Sequence, residues 1–94
     1  MLSGNWQLVK DELAEYEDTG DDTLLTEDMF QATYNDFTID GGWYGSGDAN
    51  GVFIAYLIRN ADWEEPLIKR TSYTIQDMKW DIQSCAEYVL SLSQ

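Results

Sequence analysis

The chain has 94 residues, of which 18 are acidic, 5 are basic and none is histidine, so its formal net charge at pH 7 is −13. A chain of this length is expected to form one domain, and a hydrophobic content of 44% is too high for a disordered acidic tail. The lack of histidine and the single cysteine exclude histidine-based catalysis, zinc sites of cysteine and histidine, and an internal disulfide.

The compartment is predicted from the apolar stretches of the chain. The N-terminal residues contain no apolar core of signal-peptide length. The longest apolar run, residues 52–58, is far shorter than a membrane-spanning helix. We therefore expect a soluble cytoplasmic protein, and a viral protein that acts inside a cell would have the same features.

The acidic residues are distributed unevenly. Residues 1–51 contain twelve acidic residues and one base, Lys10, whereas residues 52–94 contain six acidic residues and four bases. The densest stretch, residues 11–28, has nine acidic residues in eighteen positions and no base. Such a run is commonly a solvated surface, but self-repulsion destabilises so small a fold, which favours a functional use of the charge.

Two helices are predicted in the N-terminal part of the chain. Apolar residues at helical spacing predict a first helix that ends at Gly20. These apolar residues are Trp6, Val9, Leu13 and Tyr16. A second helix is predicted over residues 26–36, where a strand is the alternative.

Three strands are predicted in the middle of the chain. Alternation of apolar and polar residues begins a strand at Phe37. The apolar run of residues 52–58 is typical of a central strand, and the glycine-rich segment 41–51 between the two predicts a hairpin connection. A third strand over residues 67–73 carries two bases that suit the edge of a sheet.

The last predicted element is a helix that begins after Thr74. This residue is expected to cap the helix together with Asp77, in a variant of the capping box. Six residues then continue the apolar stripe: Ile75, Met78, Ile82, Cys85, Val89 and Leu92. The sequence thus predicts a single α+β domain over residues 1–94, with N-terminal helices, a three-stranded antiparallel sheet and a C-terminal helix packed on it.

Enzymatic and metal-binding interpretations find little support. The loop of residues 45–51 is rich in glycine like a phosphate-binding loop, but no lysine follows it and Asp48 would repel an anion. As a calcium loop it would need a glutamate at position twelve, where Arg59 stands. A carboxylate mechanism would need a sequestered pair such as Asp40 and Asp48, and we expect no enzyme, cofactor or metal.

Two aromatic residues, Trp43 and Tyr44, stand among glycines and are candidates for partner binding, because Trp and Tyr are enriched at interface hot spots. In the alternative interpretation, Trp43 folds back over the sheet as a cover and Tyr44 remains in solvent. Cys85 lies on the apolar stripe of the last helix and is expected to be a core residue.

The charge itself suggests a partner. A polyanionic surface repels nucleic acid and anionic membranes and attracts basic surfaces such as nucleic-acid-binding grooves. Duplex DNA carries one charge per about 1.7 Å of helix axis, and carboxylates three or four residues apart on a helix lie about 6 Å apart. A helical row of four carboxylates would therefore approximate a row of phosphates: Asp11, Glu15, Asp18 and Asp22.

In its length, in the acidic run of residues 11–28 and in its lack of catalytic residues, the chain resembles the small acidic anti-defence proteins of phages. These include DNA mimics that block restriction enzymes, and anti-CRISPR proteins. The resemblance is one of size and charge and involves no sequence motif. It implies a non-catalytic inhibitor that blocks the nucleic-acid-binding site of a nuclease or defence complex.

The expected partner is a basic nucleic-acid-binding protein or complex, with no direct binding of nucleic acid or membranes. Nine partner-binding residues are predicted: Asp11, Glu15, Asp18, Asp21, Asp22, Glu27, Asp28, Trp43 and Tyr44. An antitoxin or immunity-like protein that neutralises one dedicated basic partner is the alternative, and an acidic domain without inhibitory activity is a third. The apolar stripe of the last helix would serve a homodimer as well as a core.

Overall fold

The computed structural model describes residues 5–45 and 51–92. The described elements, in chain order, are β1 (Gln7–Asp11), α1 (Leu13–Thr19), a 3-10 helix (Asp22–Leu24), β2 (Phe30–Tyr34), β3 (Phe37–Tyr44), β4 (Val52–Arg59), β5 (Ile68–Ser72) and α2 (Ile75–Leu92). The five strands form one antiparallel sheet in which each strand pairs with its neighbours in sequence. The α+β class is confirmed, but the prediction of a three-stranded sheet is wrong.

Strand β1 occupies the first half of the region predicted to be a helix. It pairs with β2, from Gln7 opposite Thr33 to Asp11 opposite Phe30. Val9, which belonged to the predicted apolar stripe, lies at an irregularity of this pairing and is 57% exposed. The continuous first helix is therefore a wrong prediction, because a short helix is marginal by itself and this segment instead extends a sheet that has its own core.

Helix α1 forms from the second half of the same region. Leu13 is buried, and Tyr16 packs against the core. The helix ends at Gly20 as predicted, with a left-handed φ of 62° and an N–H group that donates to the carbonyl oxygen of Tyr16 at 2.8 Å. Glycine adopts this conformation without a steric penalty.

Strand β2 stands where the second helix was predicted, so that prediction is also wrong and its strand alternative is correct. Phe30 and Ala32 are buried, and the intervening Gln31 and Thr33 are half-buried. Burial thus alternates from one residue to the next, as in a strand. The strand forms in spite of the helical spacing of the aromatic residues, because β2 pairs with β1 on one side and β3 on the other and buries one face.

The predictions for the rest of the chain agree better with the structure. Strand β3 begins at Phe37 as predicted but continues through two glycines to Tyr44, and residues 46–50 of the predicted hairpin connection lie outside the described residues. Strand β4 is internal to the sheet and β5 lies at its edge, as predicted. Helix α2 is also confirmed, and the hydroxyl of Thr74 accepts a hydrogen bond from the backbone N–H of Asp77 at 3.1 Å.

The two faces of the sheet have different environments. We call the side on which α2 packs the helix face and the opposite side the open face. The helix face and α2 supply most of the core, and the approach is close, because a Cβ atom added to Gly41 would lie 3.1 Å from Cδ1 of Ile82. None of the described helices has the length and apolar character needed to cross a bilayer.

Candidate partner-binding surface

The seven predicted acidic residues all lie at one end of the sheet. We call residues 11–28 the acidic connection, because they lead from the end of β1 to the start of β2. All seven are exposed in the structure: Asp11, Glu15, Asp18, Asp21, Asp22, Glu27 and Asp28. The exposed acidic residues of the β4–β5 loop, such as Glu64, lie at the opposite end, because neighbouring strands are antiparallel.

The helical row of carboxylates predicted from the sequence does not form. Asp11 belongs to β1 and Asp22 to the 3-10 helix, so that only Glu15 and Asp18 share helix α1. The spacing calculated for one continuous helix therefore does not apply to these four residues. The acidic connection presents its carboxylates as a patch spread over several short elements.

Two of the seven carboxylates also stabilise the local backbone. Oδ1 of Asp11 accepts a hydrogen bond from the N–H of Leu13 at 3.0 Å, at the start of α1. Oδ1 of Asp21 accepts hydrogen bonds from the hydroxyl of Thr23 at 2.7 Å and from its N–H at 3.0 Å. These bonds to Thr23 lower the pKa of Asp21, because they favour the ionised carboxylate.

Few bases neutralise the acidic connection. Nζ of Lys10 lies 3.1 Å from Asp28 and 3.4 Å from Glu12. Nζ of Lys79 on α2 lies 2.7 Å from Glu17 and joins α2 to α1. Among the ion pairs of the described residues, Asp28 is the only predicted acidic residue with a base as partner.

The two predicted aromatic residues lie on opposite faces of β3 and therefore do not form one contact patch. Trp43 is half-buried and packs against the core, as in the interpretation of this residue as a cover. A Cβ atom added to Gly51 would lie 1.9 Å from its indole ring, so glycine is needed where the chain passes this ring. Tyr44 is half-buried on the open face.

A polar row that the sequence reasoning missed crosses the open face. The strand register places Gln31, Asp40, Tyr56 and Lys69 side by side on β2, β3, β4 and β5. Asp40 is only 9% exposed, and Nε2 of Gln31 donates a hydrogen bond to its Oδ2 at 3.4 Å. Burial, together with the charge of Asp28, raises the pKa of Asp40 to about 6.

Tyr44 and Tyr56 stand beside this carboxyl group. Their rings meet edge to face with centroids 6.2 Å apart, and Nζ of Lys69 lies 5.9 Å from the centroid of Tyr56. Burial, and then the charge of Asp40, raise the pKa of Tyr44 to about 12. We call these five residues the open-face cluster: Gln31, Asp40, Tyr44, Tyr56 and Lys69.

A sequence signal for this cluster exists in the strand pattern. Asp40 interrupts an apolar strand at a position that faces away from Ile39 and Gly41, so its side chain had to lie on the second face of the sheet. The positions of Tyr56 and Lys69 beside it required the register of β3, β4 and β5, which the sequence does not state.

The structure also bears on the sequence predictions for Cys85 and for metal binding. Cys85 is buried, which confirms the prediction of a core residue, and this burial raises the pKa of its thiol to about 11. Within residues 5–45 and 51–92, no group of three or more acidic or cysteine side chains has the arrangement of a metal site.

The surface of α2 carries an open groove of about 310 Å³, which is lined by Gln76, Lys79, Trp80 and Gln83.

No protein-family model, curated protein or solved structure matches this chain. What the protein does is therefore inferred from the charge, exposure and contacts of its residues.

Proposed function

We propose that the protein is a non-catalytic inhibitor of the anti-CRISPR or anti-restriction type, which docks its acidic connection onto the basic nucleic-acid-binding surface of a defence complex or nuclease. The observation that supports this proposal is the exposure of seven acidic residues in the acidic connection, together with their shortage of bases. Four of them have no base as partner among the described ion pairs and support no local backbone: Glu15, Asp18, Asp22 and Glu27.

The electrostatic mechanism follows from a charge of −13 on a small domain. At physiological ionic strength exposed charges interact over about 8 Å, so a dense patch acts on a partner more strongly than scattered charges do. Complementary charge mainly accelerates association and excludes nucleic acid from the same surface. The acidic connection would therefore compete with nucleic acid through its local concentration of carboxylates, which does not require the geometry of a duplex.

The first test identifies the partner. Immobilised protein is exposed to a bacterial lysate and eluted with a salt gradient, with and without DNA or RNA added beforehand. The proposal requires a nucleic-acid-processing protein or complex that elutes with salt and that added nucleic acid prevents from binding. A single unrelated partner that is indifferent to nucleic acid would instead identify an antitoxin or immunity-like protein.

The second test assigns binding to the acidic connection. The variant E15K/D18K/D22K reverses three exposed acidic residues and changes the net charge from −13 to −7, because each reversal adds two charges. We expect its association rate with the captured partner to fall about 10-fold or more at low salt, with a weaker dependence on salt. Asp11 and Asp21 are kept because their carboxylates accept local backbone hydrogen bonds.

The matched control for this test reverses three exposed acidic residues at the other end of the sheet. The variant D62K/E64K/E65K has the same net charge of −7. It should retain most of the association rate if the acidic connection is the docking surface. Equal losses in the two variants would mean that net charge alone attracts the partner.

A further inference from the structure

The open-face cluster contains a buried carboxylate that the described residues of the chain compensate poorly. Asp40 is 9% exposed, yet none of the ion pairs of the described residues includes it. Its one hydrogen bond from a described residue is the long contact of 3.4 Å from Gln31. A carboxylate can accept about four hydrogen bonds, so the described residues leave most of the acceptor capacity of Asp40 unused, in a site where an uncompensated charge is unfavourable.

The two bases nearest in the strand register are occupied elsewhere. Lys10, which pairs with Gln31 across β1 and β2, binds Asp28 and Glu12. Lys69 lies two strands from Asp40 and places its ammonium over the ring of Tyr56. Neither base therefore forms an ion pair with Asp40.

The acidic connection places further carboxylates beside this cluster. The segment before β2 is bonded to β3, because the N–H of Met29 donates to the carbonyl oxygen of Gly41 at 3.1 Å and the N–H of Trp43 donates to that of Thr26 at 2.7 Å. The charge of Asp28 accordingly raises the pKa of both Asp40 and Tyr44. The close approach is also visible at Gly42, where an added Cβ atom would lie 2.2 Å from the carbonyl oxygen of Glu27. The acidic connection and the open-face cluster thus form adjoining surfaces.

We infer that the open-face cluster binds a guanidinium group, supplied by an arginine side chain of the basic partner; the identity of that partner as a basic protein rests on the proposed function. Asp40 would accept the guanidinium N–H groups, and Tyr44 and Tyr56 would contact its plane, with the guanidinium replacing the ammonium of Lys69 at the Tyr56 ring. The contact of the Lys69 ammonium with the ring of Tyr56 shows that this ring is accessible to a cation.

Arginine fits this cluster better than lysine for geometric reasons. The guanidinium is planar, donates two parallel hydrogen bonds to one carboxylate and stacks on aromatic rings, and it is less strongly hydrated than an ammonium. The cluster supplies both parts of this arrangement, a carboxylate and a tyrosine pair whose centroids are 6.2 Å apart. A lysine side chain would use the carboxylate and would gain less from the rings.

The test is an NMR titration of the full chain with N-acetyl-arginine amide, and in parallel with N-acetyl-lysine amide. We expect the arginine compound to shift the side-chain carboxyl signal of Asp40 and the ring signals of Tyr56 at millimolar concentration. The lysine compound should bind at least about 5-fold more weakly. Binding of the cation should also lower the apparent pKa of Asp40, because it favours the ionised carboxylate.

Two variants separate this site from general attraction to a charge of −13. D40N should lose the response of the Tyr56 ring to arginine, whereas D18N, which removes the same charge from α1, should retain it. Y56L removes one ring and keeps the carboxylate, and we expect it to reduce the preference for arginine over lysine. An identical response of wild type and D40N, or equal binding of the two compounds, would overturn the inference.

The failure of this inference is distinguishable from failure of the proposed function. If arginine binds at Asp40 but the captured partner is insensitive to E15K/D18K/D22K, the guanidinium site stands and the acidic connection is not the docking surface. If the partner responds to that variant but arginine does not bind at Asp40, the guanidinium site is absent and the proposed function stands.

Discussion

The two faces of the sheet are built from the same strands and do different work. On the helix face, Ile39, Ala55 and Leu57 have no exposure and pack in the core with α2. On the open face, the neighbouring positions of the same strands include Asp40 and Tyr56. Because residues of a strand alternate between faces, one strand can supply apolar packing on one side and a polar cluster on the other. The main core cluster therefore lies on the helix face.

The largest loss of stability should follow from a substitution that leaves a cavity on the helix face. Ile82 on α2 has no exposure, and we expect I82A to lower the free energy of unfolding by about 2–5 kcal/mol, since a large side chain is lost from a packed core. I54A makes the same change on the open face, where Ile54 is 8% exposed and lies outside the core cluster, and should lower it less. Urea unfolding of both variants measures the difference, and equal losses would contradict the division between the faces.

An intermediate loss of stability is expected from a substitution at one of two adjacent glycines, Gly41 and Gly42, where added side chains would lie on opposite faces of the sheet. A Cβ atom at Gly42 would lie 2.2 Å from the backbone carbonyl oxygen of Glu27, so the bend before β2 would have to move. G42A should therefore lower the free energy of unfolding by about 1–3 kcal/mol. A Cβ atom at Gly41 would meet the end of the Ile82 side chain at 3.1 Å, which can shift more easily, so G41A is the milder control. Thermal unfolding that affected G41A more than G42A would contradict this prediction.

The smallest effect is a gain in stability that depends on pH. Folding raises the pKa of Asp40 from its ordinary value of 3.8 to about 6, so the folded protein binds the proton more tightly than the unfolded chain does. The wild type therefore loses stability as the pH rises from about 4 to about 6, while D40N does not. At pH 7 we expect D40N to be more stable by about 1–2 kcal/mol, a value that allows for solvent screening.

Unfolding of wild type and D40N at pH 3.5, 5 and 7 checks this gain. The asparagine oxygen can still accept the hydrogen bond from Gln31, so the substitution isolates the charge. A stability difference that stayed constant from pH 3.5 to pH 7 would show that burial of the carboxylate is not its cause. A gain that appears only above pH 4 would show that the ionised carboxylate of Asp40, on the open face, lowers the stability of the protein.

The local patterns that predicted structure correctly are those in which one signal dominates. The six apolar residues of α2 and the cap at Thr74 define a long helix, and the apolar run of β4 defines an internal strand. The N-terminal predictions failed because short segments carried both periods. Trp6 and Val9 have helical spacing, as do Phe30 and Tyr34, yet all of these segments were recruited into the sheet or its border by pairing.

The properties of the candidate site also fall into two groups, those that the sequence determined and those that the tertiary structure decided. The sequence alone determined the net charge, its concentration in residues 11–28, the core position of Cys85 and the α+β class, because these depend on composition and on strong local periods. Only the tertiary structure decided that the carboxylates form a patch on separate elements and that Asp40 lies beside Tyr44 and Tyr56. Such proximity depends on strand register, and register is set by packing between residues distant in the chain, which no local pattern encodes.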